Sequence, residues 1–350
     1  MEDTINIDGS YGEGGGSIVR LSMAFASLLK KHLLLTNIRS QRKNPGLRTQ
    51  HLVGIKLIHQ IFGGTLKGAE IGSTEIEYKP VSDFNMNTDK ITVKIDTAAS
   101  IGLIIQSLQI ALANLQSELT IELVGGGTYG LWAPSINYIQ HVTLPYLKYF
   151  GSNFSVQVKK HGFYPKGGAR VLLSFKPTKQ ITLGSINFSI REESPTVKGN
   201  VIVSRFLQRS KVAERITKSA EDILQDHGIN SLIEPMYVET LSPGAGITLW
   251  TEYKFPFGSS FVSQKNISSE KAGQLAATNL INNWKYGGIL DEYMADQIIP
   301  FMALHSSQII TSTLSNHSKT NIWLCKKFLR TDFTISNVSP DLVSIKTKVQ

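Results

Sequence analysis

Five consecutive residues, Gly12-Glu13-Gly14-Gly15-Gly16, set a single carboxylate among glycines that leave the backbone amides bare. Such a turn can approach an anion closely. Where it opens a helix, the amides of the first turn face that anion with the positive end of the macrodipole behind them. Glu13 would then offer a carboxylate to a cation bridging phosphate oxygens. The turn is neither a P-loop, since no Gly-Lys-Ser/Thr follows, nor a dinucleotide fingerprint, since Ser17 stands where the third glycine belongs. A tight packing turn would need the same glycines.

A second segment, residues 37–51, places Arg39, Arg42, Lys43 and Arg48 in one loop with several amide side chains and ends on Gln50 and His51. Guanidinium forks bind phosphate oxygens in pairs. Cations at a helix start oppose the macrodipole, an arrangement an intervening anion would explain better than a merely solvated loop does. Of the eight histidines none forms a His-Glu-x-x-His pair. His317 differs from the others because Leu314-Ser315-Asn316 precedes it as a capping segment, placing it in the first turn of a helix ending near Leu329. There the dipole favours neutral imidazole, whose lone pair can attack and whose surroundings attract phosphate. By position alone a nucleophile and a capping histidine both remain open.

These segments need elements to hold them. The 350 residues suffice for two domains, or for one with a large insertion. With 41% hydrophobic and 18% charged residues, disorder is excluded as the main theme. Net charge +9 and a pI near 9.4 favour a polyanionic partner. The single cysteine, Cys325, excludes an internal disulfide and a multi-cysteine metal site, and its helical setting predicts a buried apolar thiol. Without an export-like start or an apolar run of membrane length, the expectation is a soluble cytoplasmic protein with no membrane partner.

Along the chain, a strand at residues 5–7 leads through the glycine turn into a helix, then a strand at 33–38, a helix at 47–62 and strands near Leu66 and Ile76. The order returns with a strand at 91–95, a helix at 101–115, a strand at 119–123, a helix at 134–150 and strands near Phe154 and Val171. A third unit opens at 181–190 but gives way to a helix at 212–227 and strands near Met236, Ile247 and Phe261. Helices at 269–284 and 291–304, a strand at 309–313, the helix after His317 and strands near Phe333 and Val343 follow. The reading is α/β (α+β): three βαβαββ repeats, at about 1–90, 91–184 and a third interrupted by an inserted small α+β domain over 185–275. The repeat domain is thus 1–184 plus 276–350.

Together the segments DGSYGEGGGSIVR, NIRSQRKNPGLRTQHL, GAEIGSTEIEYKP, HGFYPKGGARV, EYMADQ and LSNHSKTNIW stand in the order and approximate spacing of the RNA 3′-terminal phosphate cyclase family, which the chain resembles throughout. The resemblance implies repeats like the C-terminal domain of a bacterial translation initiation factor, with a thioredoxin-like insert. It also implies ATP and a divalent metal, Mg or Mn, a histidyl-AMP intermediate, and conversion of RNA 3′-phosphate ends to 2′,3′-cyclic phosphates. Carried over by motif, His317 is the adenylylated residue and Glu13 the metal ligand, and Asp296 could orient His317. Gln106, Tyr293, Met294, Ala295, Asp296 and Gln297 are the ATP contacts, and Arg20, Arg39, Arg42, Gln50 and His51 the phosphate or RNA-end contacts. The stretch Asp96 to Gly102 is shorter than the family's usual pattern. Two other classes fit the architecture: a non-catalytic RNA-binding ribosome-assembly factor, which the presence of His317 disfavours, and an enolpyruvyl transferase, which needs no covalent nucleotide.

Overall fold

The structure, a computed structural model, describes residues 4–81, 88–177, 186–188, 196–285 and 290–349. The first strand, β1 (Ile5–Asp8), stops at Gly9, where a Cβ would lie 2.8 Å from the Thr36 carbonyl oxygen. Gly12 and Gly14 then take positive φ, 58° and 54°, which turns the chain into α1 (Gly16–Leu29). Ile18, Val19, Met23 and Phe25 give this helix its buried face. β2 (Leu33–Thr36), α2 (Thr49–Phe62), β3 (Thr65–Lys67) and β4 (Ile76–Lys79) complete a sheet of order β1-β2-β4-β3. Its first pair is parallel and the other two antiparallel.

The same order and senses recur. β5 (Lys90–Ser100), α3 (Ile101–Ala111), β6 (Leu119–Gly127), a helical segment, β7 (Phe154–Lys160) and β8 (Arg170–Phe175) give a sheet β5-β6-β8-β7. The helical segment is not the single helix predicted over 134–150. It divides into α4 (Ile136–Tyr138), a π turn over Ile139–Thr143 and α5 (Leu144–Tyr149), because Pro145 has no amide to continue the ladder.

Farther along, β9 (Ile186–Phe188) pairs in parallel with β14 (Ser307–Thr311) of a third such sheet. Between them in sequence lie β10 (Val197–Ser204), α6 (Val212–Asp226), β11 (Ser231–Val238), β12 (Ala245–Thr251), β13 (Gly258–Val262), α7 (Ser269–Lys285) and α8 (Glu292–Met302). After β14 come α9 (Asn316–Phe328), β15 (Thr331–Ser339) and β16 (Leu342–Val349), and the third sheet runs β9-β14-β16-β15. Of the strand expected over 181–190, only 186–188 falls within the described residues, and the expected boundary at 184 falls outside them.

The fourth sheet has a different order, β11-β10-β12-β13. β10 was not anticipated: residues Val201 to Ser204 are buried on both faces, so the run lacks the alternation that marks a half-exposed strand. The chain is therefore a mixed α/β protein with several small sheets, α+β in class, as the pattern predicts.

Two cores result. The larger joins the first three sheets through α1, α2, α3, α8 and α9, which pack on one another. The smaller lies between β10, β12, α6 and α7, and α7 packs against α6 and β13. Between the cores, Tyr129, Phe163 and Ile202 form a bridge where backbone and ring meet directly. A Cβ on Gly246 would sit 2.3 Å from the Tyr129 ring. Gly246→Ala is accordingly expected to destabilise the protein by about 1–3 kcal/mol through overpacking. In α2, Gly54→Ala meets nothing closer than Ser107 Oγ at 3.4 Å and is expected to be neutral or stabilising, by up to about 1 kcal/mol. Chemical denaturation of the two variants checks the contrast.

Candidate active site

A cleft of roughly 1120 Å³ opens where α1, α2, α8 and α9 present their first turns. Four helix starts facing one space make it attractive to anions before any side chain is counted. Of the residues singled out by sequence, Glu13, Arg20, Arg39, Arg42, Gln50, His51, Gln106, Tyr293, Asp296, Gln297 and His317 all line it. Met294 and Ala295 do not. They are fully buried on the core side of α8.

The glycine turn is clamped to α9 along one helical face. Tyr11 stacks on Trp323, with ring centroids 3.8 Å apart and planes inclined by 10°. At Gly12 a Cβ would lie 2.5 Å from Thr320 Oγ1. Glu13 Oε2 lies 3.0 Å from His317 Nε2. Residues 317, 320 and 323 share one side of a helix, so three contacts in succession fix the turn against it.

Asp296 holds the start of α9 from the other direction. Its carboxylate accepts hydrogen bonds from the Ser315 and Ser318 hydroxyls at 2.5 and 2.6 Å, and its carbonyl accepts one from Asn321 at 2.9 Å. Ser315 in turn caps the helix by accepting from the Ser318 amide. Asp296 thus orients the turn that carries His317, while the carboxylate at hydrogen-bond distance from the imidazole is that of Glu13. His317, whose side chain is half exposed, lines the cleft.

Cations gather beside the glycine turn. Arg42 donates to the Glu13 carbonyl at 2.9 Å, which ties the basic loop to the glycine turn. Arg39, with φ at 53°, donates to the carbonyls of Asn44 and Gly46 at 2.8 and 2.9 Å, and so shapes the loop as well as charging it. Arg20, partly buried, donates to Gln106 at 3.3 Å. Desolvation pulls Arg20 down to about 10, which leaves it cationic at neutral pH. Burial, with Arg20, Arg39 and Arg48 nearby, drives His51 down to about 3, so its ring is neutral. The Arg48 amide donates to His51 Nδ1 at 3.1 Å, leaving the ring proton on Nε2, against Gly16.

On the far wall Tyr293 is 61% exposed, and Gln297 is held by Thr143, which donates to its Oε1 at 3.1 Å. The smaller core adds β13 and the α7 amides Asn279, Asn282 and Asn283. Sequence reading did not single these out, nor Trp132 on the loop after β6. Their only signal was polarity at the end of an amphipathic helix and a tryptophan inside a glycine-rich turn. Among the described residues no three His, Cys, Asp or Glu side chains cluster as a metal cage. A lone carboxylate such as Glu13 would suit a cation that keeps most of its waters and shares its coordination with phosphate oxygens, as Mg does.

The pH dependence of stability follows from His51. An unfolded histidine takes up a proton near pH 6.5, whereas the folded one does so only near pH 3. Between those values the unfolded state binds more protons, so stability falls as pH drops from 6.5 toward 3. His161, lowered by burial to about 4, acts in the same sense. His51→Gln is expected to flatten the stability–pH slope of the free protein by up to one proton, about 1.4 kcal/mol per pH unit, in denaturation titrations across that window.

Similarity to known proteins covers this whole assembly. The RNA 3′-terminal phosphate cyclase family profile matches residues 11–335. An RNA 3′-terminal phosphate cyclase of Methanosarcina barkeri is 38% identical over 334 residues, spanning 95% of this chain and 96% of its own. Those of Korarchaeum cryptofilum, 36% identical with 98% and 97% covered, and Pyrococcus abyssi, 33% identical with 99% and 100% covered, match over 348 and 349 residues. The glycine turn, the basic loop, α8 and α9 all lie inside the matched span, and the chain belongs to the RNA 3′-terminal phosphate cyclase family, as an enzyme of that type.

Proposed function

We propose that this protein uses ATP to convert RNA 3′-phosphate ends into 2′,3′-cyclic phosphates through a covalent AMP on His317. The observation that carries the reading is the half-exposed imidazole, held at a helix start beside Glu13 and facing a cleft lined by Arg20, Arg39 and Arg42.

ATP is the co-substrate. An imidazole nitrogen attacks the α-phosphorus and pyrophosphate leaves. An oxygen of the RNA 3′-phosphate then attacks the same phosphorus and releases His317. The vicinal 2′-hydroxyl finally attacks the 3′-phosphate phosphorus, loses its proton and expels AMP. A phosphate monoester is a poor electrophile until adenylylation supplies a leaving group, and the neighbouring hydroxyl is already in place. A divalent cation on Glu13 would neutralise charge on the triphosphate. Transfer of Glu13 from His317 to that cation would free Nε2 of its partner. Asp296, through Ser315 and Ser318, keeps the imidazole where the chemistry needs it, and Arg42 keeps the basic loop against the turn. Tyr293, Gln297 and the backbone of Met294 and Ala295 serve the adenosine.

The three sheets of like order are repeats of one βαβαββ unit resembling the translation initiation factor C-terminal fold. The fourth sheet, with α6 and α7, is the thioredoxin-like insert. Its end near residue 275 falls within α7, the helix that packs on α6. A cytoplasmic setting, where ATP and RNA ends meet, goes with this reading.

Intact mass after incubation with ATP and Mg or Mn tests the core of the proposal. An added AMP is expected, lost in His317→Asn; no adduct on the unsubstituted protein would favour a non-catalytic RNA-binding role. In Glu13→Gln, loading is expected to fall and to recover partly at raised metal concentration, and unchanged metal dependence would reduce Glu13 to a turn residue.

For Arg42→Gln, single-turnover discharge of preloaded AMP onto a 3′-phosphorylated oligonucleotide is expected to slow by roughly ten- to a hundredfold, the worth of one charge-assisted phosphate contact. Added salt should mimic the defect. Slow loading with normal discharge would assign Arg42 to the triphosphate instead.

A further inference from the structure

The loop between β6 and α4 is fixed at both ends and bare in the middle. At its start the Thr128 amide donates to the Gly162 carbonyl at 2.9 Å, and Tyr129, 2% exposed, donates from its hydroxyl to Asn137 at 3.2 Å. At its end Ser135, 1% exposed, shares a 2.8 Å hydrogen bond with Thr248 and caps the Tyr138 amide. Between these anchors Trp132 is 95% exposed and has φ at 57°, in the left-handed region.

Both features run against ordinary preference. A bulky non-glycine residue in that region costs of order 1–3 kcal/mol, and strain of this kind persists where function uses the geometry it gives. The other tryptophans are accounted for: Trp250 stacks on His141, Trp323 on Tyr11, and Trp284 packs on the smaller core. Trp132 lines the same cleft as His317 and the arginines, and Leu131 beside it is 46% exposed.

We infer that Trp132 is a stacking platform for a nucleobase at the 3′ end of the RNA. This rests on the proposed reaction, in which the cleft must hold two bases at once: the adenine of the AMP on His317 and a base of the incoming strand. The cleft offers two strongly exposed aromatic side chains on separate elements, Tyr293 on α8 and Trp132 on the loop after β6. Tyr293 stands in the first turn of α8, the helix that packs on α9 and through Asp296 holds the start of the helix that carries His317. Trp132 is the aromatic left for the strand. An indole face accepts any base, so the platform would hold RNA ends without selecting their sequence, while the arginines take the phosphate. Trp132 is in this sense a positioning residue. It places the terminal phosphate by gripping the base beside it.

The test compares the unsubstituted enzyme with Trp132→Ala and Trp132→Phe. Each is loaded with AMP, confirmed by intact mass, and discharged onto a 3′-phosphorylated oligonucleotide or onto one with abasic residues at its last two positions. The expected result for Trp132→Ala is normal loading and a half-saturating RNA concentration raised roughly five- to a hundredfold. Trp132→Phe should recover most of this, and the abasic substrate should make all three proteins alike.

Equal half-saturation of Trp132→Ala and the unsubstituted enzyme on the intact substrate would overturn the inference. A loss confined to ATP half-saturation during loading would also overturn it, because the platform would then serve adenine. If no AMP adduct forms on the unsubstituted protein, it is the proposed reaction that fails. Anisotropy of a labelled 3′-phosphorylated oligonucleotide on the uncharged proteins then decides Trp132 by itself, with undiminished binding of Trp132→Ala counting against the platform.

Discussion

The cleft exists because four helices from two different sheets begin in the same place. Each helix start leaves unpaired amides with a partial positive charge, and bringing several together without counterions is unfavourable. The structure tolerates this by inserting compensation of limited reach: Glu13 among the amides of the glycine turn, Asp296 on the hydroxyls at the start of α9, and Asp291 capping α8 through the Met294 amide. Desolvation of Asp291 raises it to about 6, while the Tyr138 hydroxyl and backbone amides hold its charge in place. What remains is a positive, partly uncompensated space of the kind a polyphosphate fills.

Fixing that space depends on α9. The helix is held by Asp296 from α8 and by the stack of Tyr11 on Trp323 from the glycine turn, so His317 is located by two different parts of the chain. Glycine is required at two points of the turn for different reasons. Gly12 has the positive φ and the Thr320 contact, and Gly16 lets His51 approach so closely that any Cβ would overlap the ring. The neutral state of His51 belongs to the same design. A charged imidazole there would add to three arginines, and burial removes that charge.

The smaller core acts on the cleft from outside the first three sheets. Its docking is polar as well as apolar: Tyr129, Ser135 and Asn137 from one side meet Thr248, Ser260 and Asn200 from the other through buried and partly buried hydroxyl and amide hydrogen bonds. Such a network is satisfied only in one relative placement. That placement brings β13 and the asparagines of α7 to the cleft wall and leaves Trp132 exposed on a loop whose ends are buried and hydrogen-bonded.

The sequence by itself determined the local chemistry. Glycines around one carboxylate, cations in one loop, and Ser315 ahead of His317 are all local signals, set by which backbone angles, charges and caps adjacent residues allow. Element order was legible for the same reason, since periodicity is a property of neighbours. β10 escaped because a strand buried on both faces carries no alternation, and the break of the 134–150 helix escaped because one proline inside an apolar run admits several helical accommodations. Only the tertiary structure decided which carboxylate meets His317. Along the chain Asp296 was the carboxylate expected beside His317 and Glu13 the one expected on a metal; that Glu13 lies 3.0 Å from the imidazole depends on how α1, α8 and α9 pack. The same holds for the exposure of Trp132 and the burial of Met294: neighbours in sequence fix what a side chain is, but the packing of distant elements fixes what it faces.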